Sequence, residues 1–305
     1  MNNTIRIGTR GSRLALWQAN TVKNQLETLG YNTALITVAT PGDLSTTQPL
    51  YEIGITGIFT KTLDTAMING TVDIAVHSMK DVPTALPKGI VAGAVLKRGA
   101  VHDVLIFKKS PNPPDKSAVI ATGSLRRKAQ WLNKYPHHNI VNLRGNVNTR
   151  LQKLNDNPWN GAIFARAGLE RLEQIPENHT ILDWMLPAPA QGAILVTAME
   201  NDTFSIDALS KISHSESAIC THIERQFLRV LEGGCTAPIG ALATLNDDHI
   251  QFKGGIYSLD GTQKAEIQQS IAVSHAEHFG KKCAQQLLTN GGDIIMKEIK
   301  AMRKK

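Results

Sequence analysis

Along the first hundred residues, hydrophobic positions recur in two periods that take turns. Thr4–Thr9 (TIRIGT) alternates apolar and polar side chains and predicts a strand. From Ser12 to Leu29 the positions Leu14, Trp17, Val22 and Leu26 fall about one or two helical turns apart, predicting a helix that Gly30 stops. A strand over Thr33–Ala39, a polar loop, a helix from Ile58 to Ile68 ended by Asn69-Gly70, and the apolar strand Val72–Val76 follow. Strand, helix and strand in this rhythm imply parallel pairing with helices on the sheet. A second set repeats it: strands Val104–Phe107 and Ala118–Thr122, a helix Leu125–Leu132, strand Asn139–Leu143, a helix Val147–Leu154, and strand Gly161–Ala165 leading into Gly168–Leu172. Ser110–Asp115 (SPNPPD) reads as a loop within this set.

After Met199 the pattern changes. Ser213 and Glu216 have capping-box spacing and predict the start of a long helix that ends at Glu232, before Gly233-Gly234. Alternation near Ile239–Leu245, Ile250–Tyr257 and Ala265–Val273 predicts an antiparallel sheet, and helices near Ala276–Leu288 and Asp293–Ala301 complete the pattern. The sum is two α/β units and a smaller α+β unit, without an internal sequence repeat.

A chain of 305 residues, 42% hydrophobic and 19% charged, can bury more than one core, which excludes disorder and coiled coil. The uncharged run Trp184–Met199 is too short and too broken by Pro187 and Pro189 to span a bilayer. Arg6, Arg10 and Arg13 interrupt any signal-peptide core, so a cytoplasmic location is expected. Three cysteines without CxxC spacing argue against a disulfide framework and against a metal site.

The formal charge of +7 is local. Lys116, Arg126, Arg127, Lys128, Lys134, Arg144, Arg150 and Lys153 lie in the window 116–155, which has no Asp or Glu, leaving 25 basic and 26 acidic residues elsewhere. Such a window is a solvated face, a nucleic-acid surface or a pocket for a small polyanion. Its position favours the pocket, because in open α/β sheets ligands bind beyond the carboxyl ends of strands, where helix N-termini attract anions. Arg10-Gly11-Ser12, Gly123-Ser124-Leu125-Arg126-Arg127, Arg144-Gly145-Asn146 and Arg166 each follow a predicted strand, and Arg150 lies one turn into its helix. Four Trp and four Tyr are too few for a base-stacking surface.

His77-Ser78-Met79-Lys80-Asp81 follows the apolar strand Val72–Val76 and brings a hydroxyl, an ammonium and a carboxylate to the same kind of edge. Asp81 is the strongest acid/base candidate; the alternative is a turn cap, and for His77 a local backbone contact. Cys235 follows Gly233-Gly234 after a helix C-terminus, where the dipole disfavours a thiolate. That suits a sulfur alkylated once better than a nucleophile that ionises every cycle, with a structural loop cysteine as the alternative. Cys283 shares a helical stripe with Phe279 and Leu287 and reads as core, and Cys220 has no evident partner.

Together these features resemble the porphobilinogen deaminase (hydroxymethylbilane synthase) family. The resemblance rests on TRGSRLALWQ (9–18), HSMKDVP (77–83), TGSLRRKAQ (122–130), LRGNVNTRL (143–151), AGLERL (167–172), LPAPAQGA (186–193) and LEGGCTAPIG (231–240), in order along the chain. It implies an enzyme that joins four porphobilinogen molecules head to tail with loss of ammonia, giving linear hydroxymethylbilane for heme and other tetrapyrroles. It implies a dipyrromethane cofactor in thioether linkage to Cys235, and Asp81 as the catalytic aspartate. Ser78, Lys80, Asp81, Thr122, Ser124, Arg126, Arg127, Arg144 and Gly145 match cofactor-binding positions, and Arg10, Ser12, Arg150, Arg171 and Gln191 match substrate-binding ones. The fold it implies is two periplasmic-binding-protein-like α/β domains plus a smaller α+β C-terminal domain with an antiparallel sheet. Their expected extents are 1–97 with 192–211, 98–191, and 212–305, in a monomer whose partner is porphobilinogen and neither nucleic acid nor membrane.

The chain departs from the family pattern at Glu52 and Thr56, where two lysines are common, and at His102 and Arg13, where arginine and proline are frequent. A non-catalytic anion-binding protein is the competing reading; it accounts for two α/β units but not for Asp81 beside Lys80 or for the Gly-Gly-Cys loop.

Overall fold

The computed structural model describes residues 4–39, 60–108, 117–231 and 237–302. Cys235, Glu52, Thr56, the loop 110–115 and the expected helix start at Ile58 lie outside the described residues. The described chain gathers into unit 1 (4–39, 60–99 and 192–219) and unit 2 (100–108, 117–191, 220–231 and 237–302).

Unit 1 begins with β1 (Ile5–Thr9), α1 (Arg13–Thr28), β2 (Thr33–Thr37), α2 (Lys61–Ile68), β3 (Ile74–Ser78), a single 3-10 turn (Met79–Asp81) and β4 (Ile90–Val95). In unit 2 follow β5 (Asp103–Phe107), β6 (Val119–Ala121), α3 (Leu125–Lys134), β7 (Asn139–Val141), α4 (Val147–Asp156), β8 (Gly161–Ala165), α5 (Arg166–Glu170) and β9 (His179–Leu182). The chain then re-enters unit 1 for β10 (Ile194–Met199) and α6 (Thr203–Ser210). Helix α7 (Ser215–Val230) leads to the hairpin strands β11 (Ile239–Asn246), β12 (His249–Tyr257) and β13 (Lys264–Ala272), then α8 (Phe279–Leu287) and α9 (Asp293–Met302).

The unit 1 sheet has the order β2-β1-β3-β10-β4. As expected, β1 pairs in parallel with β2 and β3, but β10 runs antiparallel to both β3 and β4. Helices cover both faces, so the central strands carry apolar residues on both sides. Ile74 and Val76 join one core with Val22 and Leu26, while Ala75 joins the opposite core with Leu63 and Met67. Ser12 caps α1, its Oγ accepting from the Ala15 N–H at 3.3 Å. The helix ends where Gly30 takes φ +87 and its N–H bonds back to Glu27 O. The buried stripe of α1 is Ala15, Ala19, Val22 and Leu26, whereas Trp17 is 40% exposed. The two alanines, not the larger Leu14 and Trp17 of the expected stripe, face the sheet.

Unit 2 contains a sheet of order β7-β6-β8-β5-β9, in which β6 is parallel to β7 and β8, and β5 is antiparallel to β8 and β9. Val104 and Ile106 pack to one side with Ala121 and Phe164; Leu105 packs to the other with Ile120, Trp131 and Ile163. The third sheet, β11-β12-β13, is antiparallel throughout and lies close to its expected bounds. Phe227 of α7 meets Phe252 at 5.0 Å between ring centroids, and Phe252 meets Phe279 of α8 at 6.1 Å, so these rings form the core under that sheet.

Helix α7 starts differently from the capping box expected at Ser213. His214 takes that place, its Nδ1 accepting from the Ser217 N–H at 3.2 Å, while Ser213 Oγ accepts from the Val95 N–H at 3.2 Å. The serine is spent on tying the helix start to the end of β4.

Candidate functional site

The residues singled out from sequence fall on the carboxyl edges of two sheets, one in each unit. In unit 1, β1 and β3 are parallel neighbours, with Gly8 opposite Ala75. Their ends therefore bring Arg10 and Ser12 to the same edge as Ser78, Lys80 and Asp81. Lys80 and Asp81 are half-buried in the 3-10 turn. The turn is held from both sides: the Met79 N–H donates to Ala193 O at 3.0 Å, and the Val82 N–H closes onto Met79 O at 3.2 Å. Ser78 Oγ accepts from Nε2 of the buried Gln18 at 2.9 Å. Gln18 is a site neighbour that sequence reasoning missed; its signal is a polar residue on the sheet-facing stripe of α1.

His77, buried one residue before Ser78, has its Nε2 3.4 Å from Thr197 Oγ1 on β10. Burial first, and the Arg10 charge second, bring its pKa down to about 4, so the ring is neutral at physiological pH. A neutral imidazole under the edge adds no positive charge of its own, while Arg10 and Lys80 bring cationic side chains to the ends of β1 and β3.

In unit 2, β7, β6 and β8 end side by side. Ser124 caps α3 by accepting from the Arg127 N–H at 3.5 Å, and its own N–H donates to Thr122 Oγ1 at 3.3 Å. Asn146 caps α4 through the Thr149 N–H at 3.0 Å. Between them Gly145 has φ +116, a conformation L side chains rarely adopt, and a Cβ there would press within 2.8 Å of Thr149. Arg150 Nε donates to Gly145 O at 2.7 Å and Lys153 Nζ to Arg144 O at 3.2 Å, so α4 fixes the loop from below.

Arg144 is the informative member of this group. It is 7% exposed, its Nε is buried without a hydrogen-bond partner, and burial lowers its pKa. An uncompensated donor on a buried cation is costly unless an anion completes it. Arg171 is held down to about 10, by burial first and against the opposing influence of Glu170. Arg166 forms an ion pair with Glu170 at 2.7 Å on the surface of α5.

Arg126 and Arg127 are deployed differently from a solvent-facing anion trap. Both are buried against Asp103: Arg126 Nη2 lies 2.8 Å from Oδ2 and Arg127 Nη2 2.8 Å from Oδ1. Burial works to raise the Asp103 pKa, and the two guanidinium charges outweigh it, holding the carboxylate far below its usual range. Gln191, also fully buried, donates to Asp103 Oδ1 at 2.9 Å and to Val101 O at 2.8 Å. Asp103 was not legible as a site neighbour because it starts a strand. The antiparallel insertion of β5 puts that start opposite Ala165, at the carboxyl end of β8.

The edge in unit 2 has the make-up of an anion receptor, and the edge in unit 1 carries a carboxylate on its own turn. Guanidinium groups and helix N-termini bind planar carboxylates with defined orientation, and Asp81 can stabilise positive charge or move a proton.

Comparison with known proteins agrees with this chemistry. The family model described as porphobilinogen deaminase, dipyromethane cofactor binding domain, matches residues 5–207, and that of the porphobilinogen deaminase C-terminal domain matches residues 218–289. Porphobilinogen deaminase of Desulforamulus reducens is 40% identical, with 99% of each chain covered. That of Pelotomaculum thermopropionicum is also 40% identical, over 97% of each. The Syntrophotalea carbinolica protein is 38% identical over 97% of this chain and 96% of its own. Among solved structures, the methionine binding protein MetQ aligns with a TM-score of 0.45 at 12% identity, over 74% of this chain and 91% of that one. Two family models matched in chain order, and 38–40% identity from one end to the other, mean that this chain belongs to the porphobilinogen deaminase family.

Proposed function

We propose that the protein is a hydroxymethylbilane synthase: it condenses four porphobilinogen molecules head to tail, releases one ammonia per condensation, and hydrolyses the product free as linear hydroxymethylbilane. The observation that carries the reading is Arg144, a buried cation with an unpartnered Nε at an edge shared with Thr122, Ser124, Gly145 and Arg150. Each pyrrole of this pathway carries an acetate and a propionate, the anions that such donors complete.

The same donors fit the dipyrromethane group of the family, whose carboxylates are of the same kind. Ser78, Lys80, Asp81, Thr122, Ser124, Arg126, Arg127, Arg144 and Gly145 would hold it, and Cys235 would anchor it. When bound, the group supplies the electron-rich pyrrole carbon at which the chain grows. Arg10, Ser12, Arg150 and Arg171 orient the incoming substrate through its carboxylates, replacing diffusive encounter with a fixed approach, while Gln191, whose amide protons go to Asp103 and Val101, supports the edge from within. Loss of ammonia from an aminomethylpyrrole leaves an electron-poor ring. Asp81, placed at the ring nitrogen, lowers the energy of that charge where water is scarce. Because every added ring brings two more carboxylates, one or two arginines would not suffice, which accounts for the acid-free basic window.

In this reading the chain has three domains, 1–97 with 192–211, 98–191 and 212–305, and works as a cytoplasmic monomer. No described helix is long and apolar enough to cross a membrane.

The test is the intact mass of the purified protein, with and without added porphobilinogen. The expected result is an adduct of two pyrrole units that grows on addition of substrate and is absent from Cys235→Ser. A wild-type protein at its plain sequence mass that yields no pyrrole product refutes the proposal.

A further inference from the structure

Arg126 and Arg127 are consecutive in α3, so their side chains leave the helix about 100° apart and residues so spaced do not face each other. They converge because one buried carboxylate collects both. Asp103 Oδ1 accepts from Arg127 Nε at 3.1 Å, from Arg127 Nη2 at 2.8 Å and from Gln191 Nε2 at 2.9 Å, while Oδ2 faces Arg126 Nη2 at 2.8 Å. The remaining Arg127 nitrogen, Nη1, donates to Ile163 O at 3.0 Å, so every nitrogen of that guanidinium is engaged inside unit 2. Arg126 Nη1 donates to Leu186 O at 2.6 Å, and Gln130 exchanges two further hydrogen bonds with the Leu186 backbone. Leu186 and Gln191 bracket the segment that returns the chain to β10, and Gln191 also holds Val101, which precedes β5 on the outward crossing.

We propose that Asp103 is a positioning residue of the pyrrole-carboxylate site, which locks Arg126 and Arg127 in a single orientation and registers both to the crossing segments through Gln191. The proposal rests on the hydroxymethylbilane synthase reading. Its rival is a buried ion triad that serves stability alone.

The two make different predictions for full-length Asp103→Asn and Asp103→Glu, each assayed for porphobilinogen KM and kcat, thermal midpoint, and exchange protection of the Arg126 and Arg127 guanidinium N–H signals by 15N NMR. The amide of Asp103→Asn turns a donor toward Arg126. Loss of that charge-assisted contact should raise KM about ten-fold, change kcat less, and lower the protection of the Arg126 Nη2 protons in protein that remains folded. Asp103→Glu keeps the charge but displaces it by one methylene, so it should recover the midpoint more than KM. Unchanged KM and retained protection in folded Asp103→Asn overturn the proposal, as does an Asp103→Glu variant in which KM recovers fully along with the midpoint. Should Asp103→Asn not fold, Gln191→Leu leaves both ion pairs in place and should still raise KM, by about three-fold; no change there overturns the proposal as well. Wild-type protein without pyrrole adduct or turnover refutes the functional reading instead, an outcome separate from an active wild type whose Asp103 variants behave normally.

Discussion

His77 should make unit 1 sensitive to mild acid. Its imidazole is buried between β3 and β10, and burial, assisted by the Arg10 charge, lowers its pKa to about 4 from an unperturbed 6.5. The unfolded chain therefore takes up a proton as pH falls through about 6.5, whereas the folded chain resists until about 4. The unfolded state binds more protons across that window, so stability is full above it and falls with falling pH, by about 1.4 kcal/mol per pH unit. Over the whole window the loss is ~3 kcal/mol from this group, a large share of a typical domain's stability. The assay is native-state hydrogen exchange on peptides covering β3 and β10, corrected for intrinsic rates, from pH 7 to pH 4.5. His77→Leu shifts the baseline stability but removes the titration, so the difference in pH dependence between the two proteins isolates the group. Arg10→Gln should shrink the loss, because it removes the second cause of the depressed value. Parallel curves for wild type and His77→Leu would refute the reasoning.

Other variants separate chemistry from architecture. Asp81→Asn keeps the size of a half-buried turn residue and should fold with an unchanged midpoint while turnover of porphobilinogen drops by about 10²-fold or more; near-normal turnover removes Asp81 from the mechanism. Arg144→Met, introduced beside Cys235→Ser to exclude the adduct, should leave stability unchanged or raise it by about 1 kcal/mol because a buried unpartnered donor is gone, and in the otherwise native chain it should raise KM. A clear loss of stability without the adduct would make Arg144 structural. Glu224 is fully buried and accepts from the Ala190 N–H at 2.6 Å and the Ala243 N–H at 2.8 Å; Glu224→Ala strands both donors and should cost roughly 3–5 kcal/mol, measured by thermal or urea unfolding, and a cost below about 1 kcal/mol would contradict the geometry.

Local features were the legible ones. Hydrophobic period located β1, β3, β8 and the three strands of the C-terminal sheet, and the Gly-Ser junctions located the caps of α1 and α3, since each depends on residues adjacent in the chain. What required the fold was everything set by crossing. β10 lies in the uncharged run Trp184–Met199, to which hydrophobic period assigns no element; the family resemblance, not the period, returns 192–211 to the first domain, and the partners β3 and β4, about a hundred residues earlier, make β10 a central strand. Ser213 had the spacing of a helix cap, but the Val95 N–H from β4 competes for its hydroxyl and His214 takes over the helix. The basic window was rightly placed at helix mouths, yet its composition could not reveal that Arg126 and Arg127 share an acid from outside it. A window of 116–155 has no acid of its own, and Asp103 reaches it only through sheet pairing.

The two five-stranded sheets have the same plan without a detectable sequence repeat. In each, three parallel strands are followed by one antiparallel strand and then an edge strand: β2-β1-β3 with β10 and β4, and β7-β6-β8 with β5 and β9. The antiparallel position is filled in both cases by the strand that enters from a crossing. An antiparallel strand presents its amino end where its neighbours present their carboxyl ends, so each crossing delivers its residues directly to a ligand edge. In unit 1 that end is Ala193 and Ile194, which bond the turn carrying Asp81 and pair with Ser78. In unit 2 it is Asp103, which gathers the arginine pair. The crossings are also bonded to each other, Leu96 N–H to Ile194 O and Gly99 N–H to Gly192 O at 3.1 Å, and Gln191 to Val101. Each crossing segment is thus tied by hydrogen bonds or ion pairs to the functional edge of the unit it enters: the Ala193 end to the Asp81 turn in unit 1, and the Val101–Asp103 end to the arginine pair in unit 2.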